Sequence, residues 1–154
     1  MKSINTMFVL MLTMLFYVTG AFAQTTASPP PTPTKVTGIE IVTPEAARAL
    51  LGKAAIFDMR SAVNFGKGHL QGAIALPYSG TSENSENFDA SKDKFDAAKL
   101  PSDKSAIVVF YSDGPTGWKS YKAAISTSKM GYKNVKWMRE GTAGWLAKKY
   151  PLVN

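Results

Sequence analysis

The stretch Ile107–Ala124, IVVFYSDGPTGWKSYKAA, constrains this chain more than any other part of it. Ala106–Tyr111 is a continuous apolar run of strand length, the pattern of a strand buried on both faces at the centre of a sheet. Ser112–Gly117 then reads as an exposed loop. Trp118–Met130 places Tyr121, Ala124, Ile125 and Ser128 on one side of a helix that Gly131 ends. A buried strand feeding a helix N-terminus through a short loop is a layout that presents a reactive thiol to a bound anion. Yet the loop opens on Ser112, and the 154 residues contain no cysteine.

The rest of the chain alternates in the same manner. Ile39–Val42 reads as a short strand, and Thr43-Pro44-Glu45 opens a helix with an N-cap threonine and a proline at the first helical position. That helix carries Ala46, Ala47, Leu50 and Leu51, and Gly52 stops it. Ala54–Asp58 is a buried strand, Met59–Lys67 a loop with one helical turn, and Ala73–Leu76 a short strand before Pro77. Ser79–Asp93 has no periodicity and reads as a surface excursion, with a further helical turn over Lys94–Leu100. Asn134–Trp137 is the last strand and Thr142–Lys148 the last helix. Repeated strand–helix units predict an α/β fold with a parallel sheet covered by helices on both faces.

Residues 1–23 stand outside that domain. Lys2 is followed by the apolar run Met7–Val18, and Gly20-Ala21-Phe22-Ala23 supplies small residues before Gln24. This is the arrangement of a secretory signal peptide. The run is shorter than the roughly 20 residues of a spanning helix, so no stable membrane anchor is expected after cleavage. Residues 24–37 hold four of the prolines and five threonines, which predicts a semi-rigid tether without a packed core. The domain is then residues 38–154. An exported protein in a Gram-negative cell resides in the periplasm, the alternative being secretion to the medium. Without cysteine the domain is held by packing alone, and thiolate metal sites, iron–sulfur clusters and dithiol couples are excluded. With a single histidine, His69, no metal site and no cofactor is expected.

The net charge of +7 is unevenly placed. Residues 1–113 carry ten basic and ten acidic groups, whereas residues 114–154 carry eight basic groups against Glu140 alone. Such an excess reads as a solvated basic face, as attraction of anions toward the loop, or as a contact surface for a protein partner through the basic C-terminal third. Nucleic acid is not expected, because no base-stacking aromatic platform is evident.

Three segments together carry a family resemblance. Asp58-Met59-Arg60, Phe65, Gly68-His69-Leu70, Gly72-Ala73-Ile74 and Pro77 resemble the opening signature of rhodanese-like domains. Tyr111–Ala124 falls where such domains keep their active-site loop. Gly131-Tyr132-Lys133-Asn134-Val135, Gly141, Trp145 and Tyr150-Pro151 resemble their ending. The resemblance implies a rhodanese-like fold of about five parallel strands with helices on both faces. In active members a cysteine after the central strand carries sulfane sulfur as a persulfide, cradled by backbone N–H groups. The loop Ser112–Lys119 resembles a subgroup with one cysteine after the strand and a second before tryptophan, at the positions of Ser112 and Gly117. Lysine stands where arginine often closes the loop, and Glu140 replaces one glycine of a glycine pair.

A serine hydroxyl is far less acidic than a thiol and stores no sulfane sulfur, so the substitution removes persulfide chemistry itself. Hydrolysis through Ser112 needs a base within reach and a group to orient it. His69 sits in a turn that the resemblance marks as structural, and no nucleophile elbow surrounds Ser112. The expected function is a non-catalytic accessory module, a pseudoenzyme binding an anion or a protein. The alternative is a sulfurtransferase-family enzyme with residual transfer or hydrolytic activity through the Ser112 loop. Candidate anion-binding residues are Ser112, Asp113, Gly114, Thr116, Gly117, Trp118, Lys119 and Ser120, with thiosulfate, sulfate or phosphate as ligands. Gly114 and Gly117 are expected to allow the positive φ angles that bring successive N–H groups together. The same glycines, with Pro115, also suit a plain turn. Asp58 and Arg60 are expected to support the site by pairing with nearby loops. Trp118 either covers the pocket or caps the core, and Trp137 and Trp145 read as packing residues.

Overall fold

The structure is a computed structural model that describes residues 28–154. The leader expected over residues 1–23 and the first four tether residues lie outside the described part. Five parallel strands form the main sheet: β1 (Glu40–Ile41), β2 (Ala55–Asp58), β3 (Ile74–Ala75), β6 (Ile107–Tyr111) and β7 (Asn134–Met138), in the order β1-β7-β6-β2-β3. Between β3 and β6, β4 (Ser79–Gly80) and β5 (Asp93–Lys94) pair antiparallel as a separate ribbon. The helices are α1 (Pro44–Ala49), α2 (Ala62–Gly66), α3 (Trp118–Lys129) and α4 (Gly141–Ala147).

Strand β6 lies at the centre, as its apolar run requires, and its period of two divides the core. Val108 and Phe110 face a cluster with Phe57, Tyr121, Ala124 and Trp137 under α3. Val109 and Tyr111 face Ile56, Ala47, Leu70 and Trp145 under α1 and α4. Thr43 caps α1 by accepting the Ala46 N–H at 3.2 Å, and Ser61 caps α2 by accepting that of Asn64.

Three expectations need correction. The buried side of α3 is Trp118, Ser120, Tyr121, Lys122, Ala123, Ala124 and Thr127, with Ser128 and Ile125 only half-buried. The stripe is wider than the sequence suggests because two bodies cover the helix, the sheet beneath it and the excursion beside it. The excursion itself is folded down, with Phe88 in the core and edge-on to Tyr121. Finally, the tether from Ser28 onward lies on the domain. Thr32 is 2% exposed, and both its N–H and its hydroxyl donate to the Pro115 carbonyl, at 2.8 and 2.6 Å. Proline-rich backbone lacks donors but keeps its carbonyls, and the domain supplies donors to three of them.

Candidate functional site

Parallel strands place their following loops at one edge of the sheet, and the loop after β6 lies there beside the one after β2. The β6 loop is fastened from below by α4. Thr142 and Ala143, in the first turn of α4, donate their N–H groups to the carbonyls of Ser112 and Asp113, both at 2.9 Å. Gly141 makes this possible. Its φ of +56° is left-handed, and a Cβ there would collide with the Ser112 carbonyl and lie 2.7 Å from the Gly114 nitrogen. Of the glycine pair that the family resemblance implies, the member retained is the one the backbone demands.

The Ser112 side chain is turned inward and is 1% exposed. Its hydroxyl donates to the Gly117 carbonyl at 3.0 Å and lies 2.8 Å from the Ser120 hydroxyl. Ser120 in turn donates to the same carbonyl and accepts the Trp137 indole N–H, each at 3.0 Å. Every partner of Ser112 is therefore a carbonyl or another hydroxyl, and neither removes a proton at neutral pH. His69, the single histidine, stacks on Phe65 with ring centroids 3.7 Å apart, and its Nδ1 faces the Phe65 carbonyl at 3.1 Å. It takes no part in the loop.

Glycine at position 117 answers to space, not to φ. Neither Gly114 nor Gly117 adopts positive φ, which corrects the expectation for both. A Cβ at 117 would overlap Ser112 Oγ and sit 2.8 Å from the Gly114 carbonyl oxygen. Two of the loop amides are also folded back on the loop: Gly117 N–H donates to Gly114 at 2.7 Å and Trp118 N–H to Thr116 at 3.1 Å. Beyond Trp118, the donors facing the loop end of α3 are the N–H groups of Lys119 and Ser120. The carbonyl four residues before Lys119, that of Pro115, is occupied by Thr32.

Above the loop is a cavity of about 190 Å³ lined by Ser112, Asp113, Thr116, Gly117, Trp118 and Lys119, with Pro29 and Asn84. Six of the eight predicted loop residues thus share one wall. Gly114 and Ser120 lie behind it as supports. Trp118 lines the cavity and also meets Tyr121 edge-on at 5.2 Å. Sequence reasoning missed Pro29 and Asn84. Asn84 carried no signal, and the proline-rich run that contains Pro29 was legible only as a spacer.

Asp58 and Arg60 do not line the cavity; they clasp the neighbouring loop. Arg60 Nη2 lies 2.6 Å from Asp58 Oδ2 and 2.7 Å from the Gly68 carbonyl, with both residues buried. Burial opposes the Arg60 charge, but hydrogen bonding and attraction from the Asp58 carboxylate more than offset this, so the Arg60 pKa is raised. A second buried cluster ties the excursion to α3. Lys122 Nζ donates to the Ser82 carbonyl and hydroxyl at 3.0 and 2.8 Å and lies 3.7 Å from Asp93 Oδ2. Desolvation lowers the Lys122 pKa, with Asp93 only partly opposing it. Asp93 is also desolvated, yet its pKa falls because Ser82 and Tyr78 donate to it. A cavity of about 220 Å³ between Tyr78, Lys119 and Lys122 shares Asn84 and Lys119 with the one over the loop.

The basic excess of residues 114–154 is partly internal. Lys122 faces Asp93, Lys136 pairs with Glu40, Lys148 with Glu45, and Arg139 donates to the Thr32 and Pro33 carbonyls.

The candidate site thus lies on a helix-capped loop at the carboxyl edge of a five-stranded parallel sheet, with a buried aspartate–arginine clasp beside it. The chain belongs to the rhodanese-like domain family, whose profile matches residues 43–148. It is 32% identical to the uncharacterised protein YibN of Escherichia coli strain K12 over 117 residues, which span 75% of this chain and 73% of YibN. Among solved structures it is similar to a rhodanese-related protein of Thermoplasma volcanium, with TM-score 0.55 and 18% identity over 74% of this chain and 97% of the other. It is likewise similar to one part of a thiosulfate sulfurtransferase of Pseudomonas aeruginosa, with TM-score 0.55 and 23% identity over 75% of this chain and 20% of that protein. At those identities the two structures show a shared fold.

Proposed function

We propose that this protein is an exported accessory module that has left sulfur transfer and holds a small oxyanion over the loop after β6. The observation that carries the reading is the inward Ser112 hydroxyl, satisfied by Gly117 and Ser120 with no base beside it. A persulfide needs a thiolate, which a chain without cysteine lacks, and a serine nucleophile needs a bonded proton acceptor, whereas Ser112 is bonded only to a carbonyl and a hydroxyl. Support for the anion comes from the cavity itself. Lys119 and the opening turn of α3 meet there, where the N–H groups and the helix dipole favour negative charge. Thiosulfate, sulfate and phosphate are the ligands of matching size and charge.

Export rests on the charged start, the apolar run Met7–Val18 and the small residues before Gln24. The destination we assign is the periplasm. Among the described residues no helix is long and apolar enough to cross a membrane. A protein partner at the basic C-terminal third is less favoured, because Lys122, Lys136, Arg139 and Lys148 are already engaged within the domain.

Two measurements test the reading. In a cyanide–thiosulfate assay the purified protein should form thiocyanate only at the background rate; turnover that disappears in Ser112→Ala would overturn the loss of catalysis. In an amide-resolved titration, thiosulfate, sulfate and phosphate should shift Thr116, Lys119 and Ser120, and Lys119→Ala should weaken the response. Shifts absent from that loop would overturn the anion site.

A further inference from the structure

The proline-rich segment before the domain lies outside the family's matched region, yet it forms part of the cavity wall. Its attachment is specific. Trp118 donates its indole N–H to the Pro30 carbonyl at 2.7 Å. Arg139 donates to the Thr32 carbonyl at 2.8 Å and to that of Pro33 at 3.0 Å. Thr32 returns both of its donors to Pro115, a residue of the loop itself. The segment is thus a proline-rich ligand for its own domain, held as extended proline segments are held elsewhere, with carbonyls accepting from an indole and a guanidinium.

The anchors and the site share parts. Trp118 lines the cavity and holds the segment, while Pro115 lies between Gly114 and Thr116 in the loop. Pro29 closes one side of the cavity and Asn84, from the excursion, lines it as well. The remaining space of about 190 Å³ falls below the roughly 300 Å³ at which pockets for drug-sized ligands begin. It accommodates a tetrahedral oxyanion with a few waters, each water needing about 30 Å³. Pro29 and Asn84 narrow the approach to it, while Asp113, Thr116 and Lys119 stay exposed at its mouth.

From this we infer that residues 28–34 are a specificity-determining wall of the loop site. They admit small free oxyanions and exclude sulfur- or phosphorus-bearing groups attached to a protein or peptide. This rests on the anion-binding reading above, but it concerns access and is tested separately.

Because the chain has no cysteine, Thr116→Cys introduces a single thiol on the wall of the cavity, next to the Pro115 on which Thr32 docks. Its labelling by methyl methanethiosulfonate is compared with that by fluorescein maleimide, each relative to free cysteine. The comparison is repeated after Thr32→Pro, which removes both donors to Pro115 but keeps extended backbone, and after Thr32→Gly as a second release. Thr32 precedes the domain, and near-ultraviolet circular dichroism confirms that the domain stays folded. With Thr32 present, the bulky reagent should lag the small one by at least about tenfold, and release should recover most of that gap. An unchanged ratio, or a thiol silent to both reagents after release, overturns the wall.

A parallel titration separates the two readings. Inorganic phosphate should shift the loop amides with or without Thr32, whereas a phosphoserine peptide should do so only after release. If phosphate fails while the labelling ratio responds, the anion site falls and the wall stands. If phosphate binds and the peptide binds equally well to the unmodified chain, the wall falls.

Discussion

Two loops leave the carboxyl ends of neighbouring strands, one after β2 and one after β6, and each is closed by different chemistry. After β2, Asp58 and Arg60 neutralise each other in a buried, multiply bonded pair that also fixes the Gly68 carbonyl. After β6, Ser112, Gly117 and Ser120 satisfy one another without charge. The difference lies in redundancy. Removing one member of an ion pair strands its partner's charge in a dry interior. Removing one hydroxyl from a group that shares a carbonyl leaves the others bonded. The loop after β2 is therefore rigidly specified by a charged pair, while the loop after β6 is closed by a self-satisfied neutral cluster.

The comparison breaks most readily at the clasp. Arg60→Ala should cost about 3–5 kcal/mol, the usual consequence of leaving a buried carboxylate unpaired. Urea denaturation followed by tryptophan fluorescence measures it. Arg60→Lys should recover only part, since an ammonium cannot span Asp58 and the Gly68 carbonyl with the same fork. A loss below about 1 kcal/mol for the alanine variant would show that the pair is screened like a surface one.

A smaller effect is expected where the two loops differ in space. Gly117→Ala forces a methyl onto Ser112 Oγ and toward the Gly114 carbonyl, an overpacking worth about 1–3 kcal/mol. In a Ser112→Gly background the penalty should shrink without vanishing, because the backbone contact remains. That coupling, read by a double-mutant cycle, shows whether serine and glycine at these positions form one unit. Independent costs would separate them.

Smaller still is Ser112→Ala. Ser120 keeps its bonds to Gly117 and Trp137, so the loss should be about 0.5–1.5 kcal/mol, the net worth of one hydrogen bond. Equilibrium unfolding of the single variant checks it. A cost equal to that of Arg60→Ala would erase the contrast between the two loops.

Most of this frame was legible in the chain. The run at Ala106–Tyr111 located the central strand, Thr43-Pro44 located α1, and the aspartate–arginine pair was expected to be structural. Six of the eight loop candidates line one cavity because a strand–loop–helix unit keeps them consecutive. What escaped was non-local. Asp93 sits among Asp89, Lys92, Lys94 and Asp96, a run that reads as solvated, and only its meeting with Lys122 across the fold buries it. The docking of Thr32 depends on Pro115 and Arg139, residues 83 and 107 positions away, and periodicity carries no such information. Nor did periodicity separate glycines required by φ from those required by volume, so Gly117 was assigned the wrong reason.

The smallest expected effect concerns the scaffold beneath the β6 loop. Lys148 lies 2.8 Å from Glu45 and ties α4 to α1, and α4 donates the N–H groups that fasten Ser112 and Asp113. Hydrogen bonding from Lys148, assisted by the backbone and Thr43, lowers the Glu45 pKa to about 2. A carboxyl depressed in the folded state stabilises the fold at pH values above its unfolded range, near 4.3, and loses that contribution as pH falls toward the folded value. Between roughly pH 5 and 2 the thermal midpoint should fall faster for the unmodified protein than for Glu45→Gln, and amide exchange at Thr142 and Ala143 should rise with the loss of the pair. Parallel pH profiles for the two proteins would mean that the β6 loop rests on α4 without help from α1.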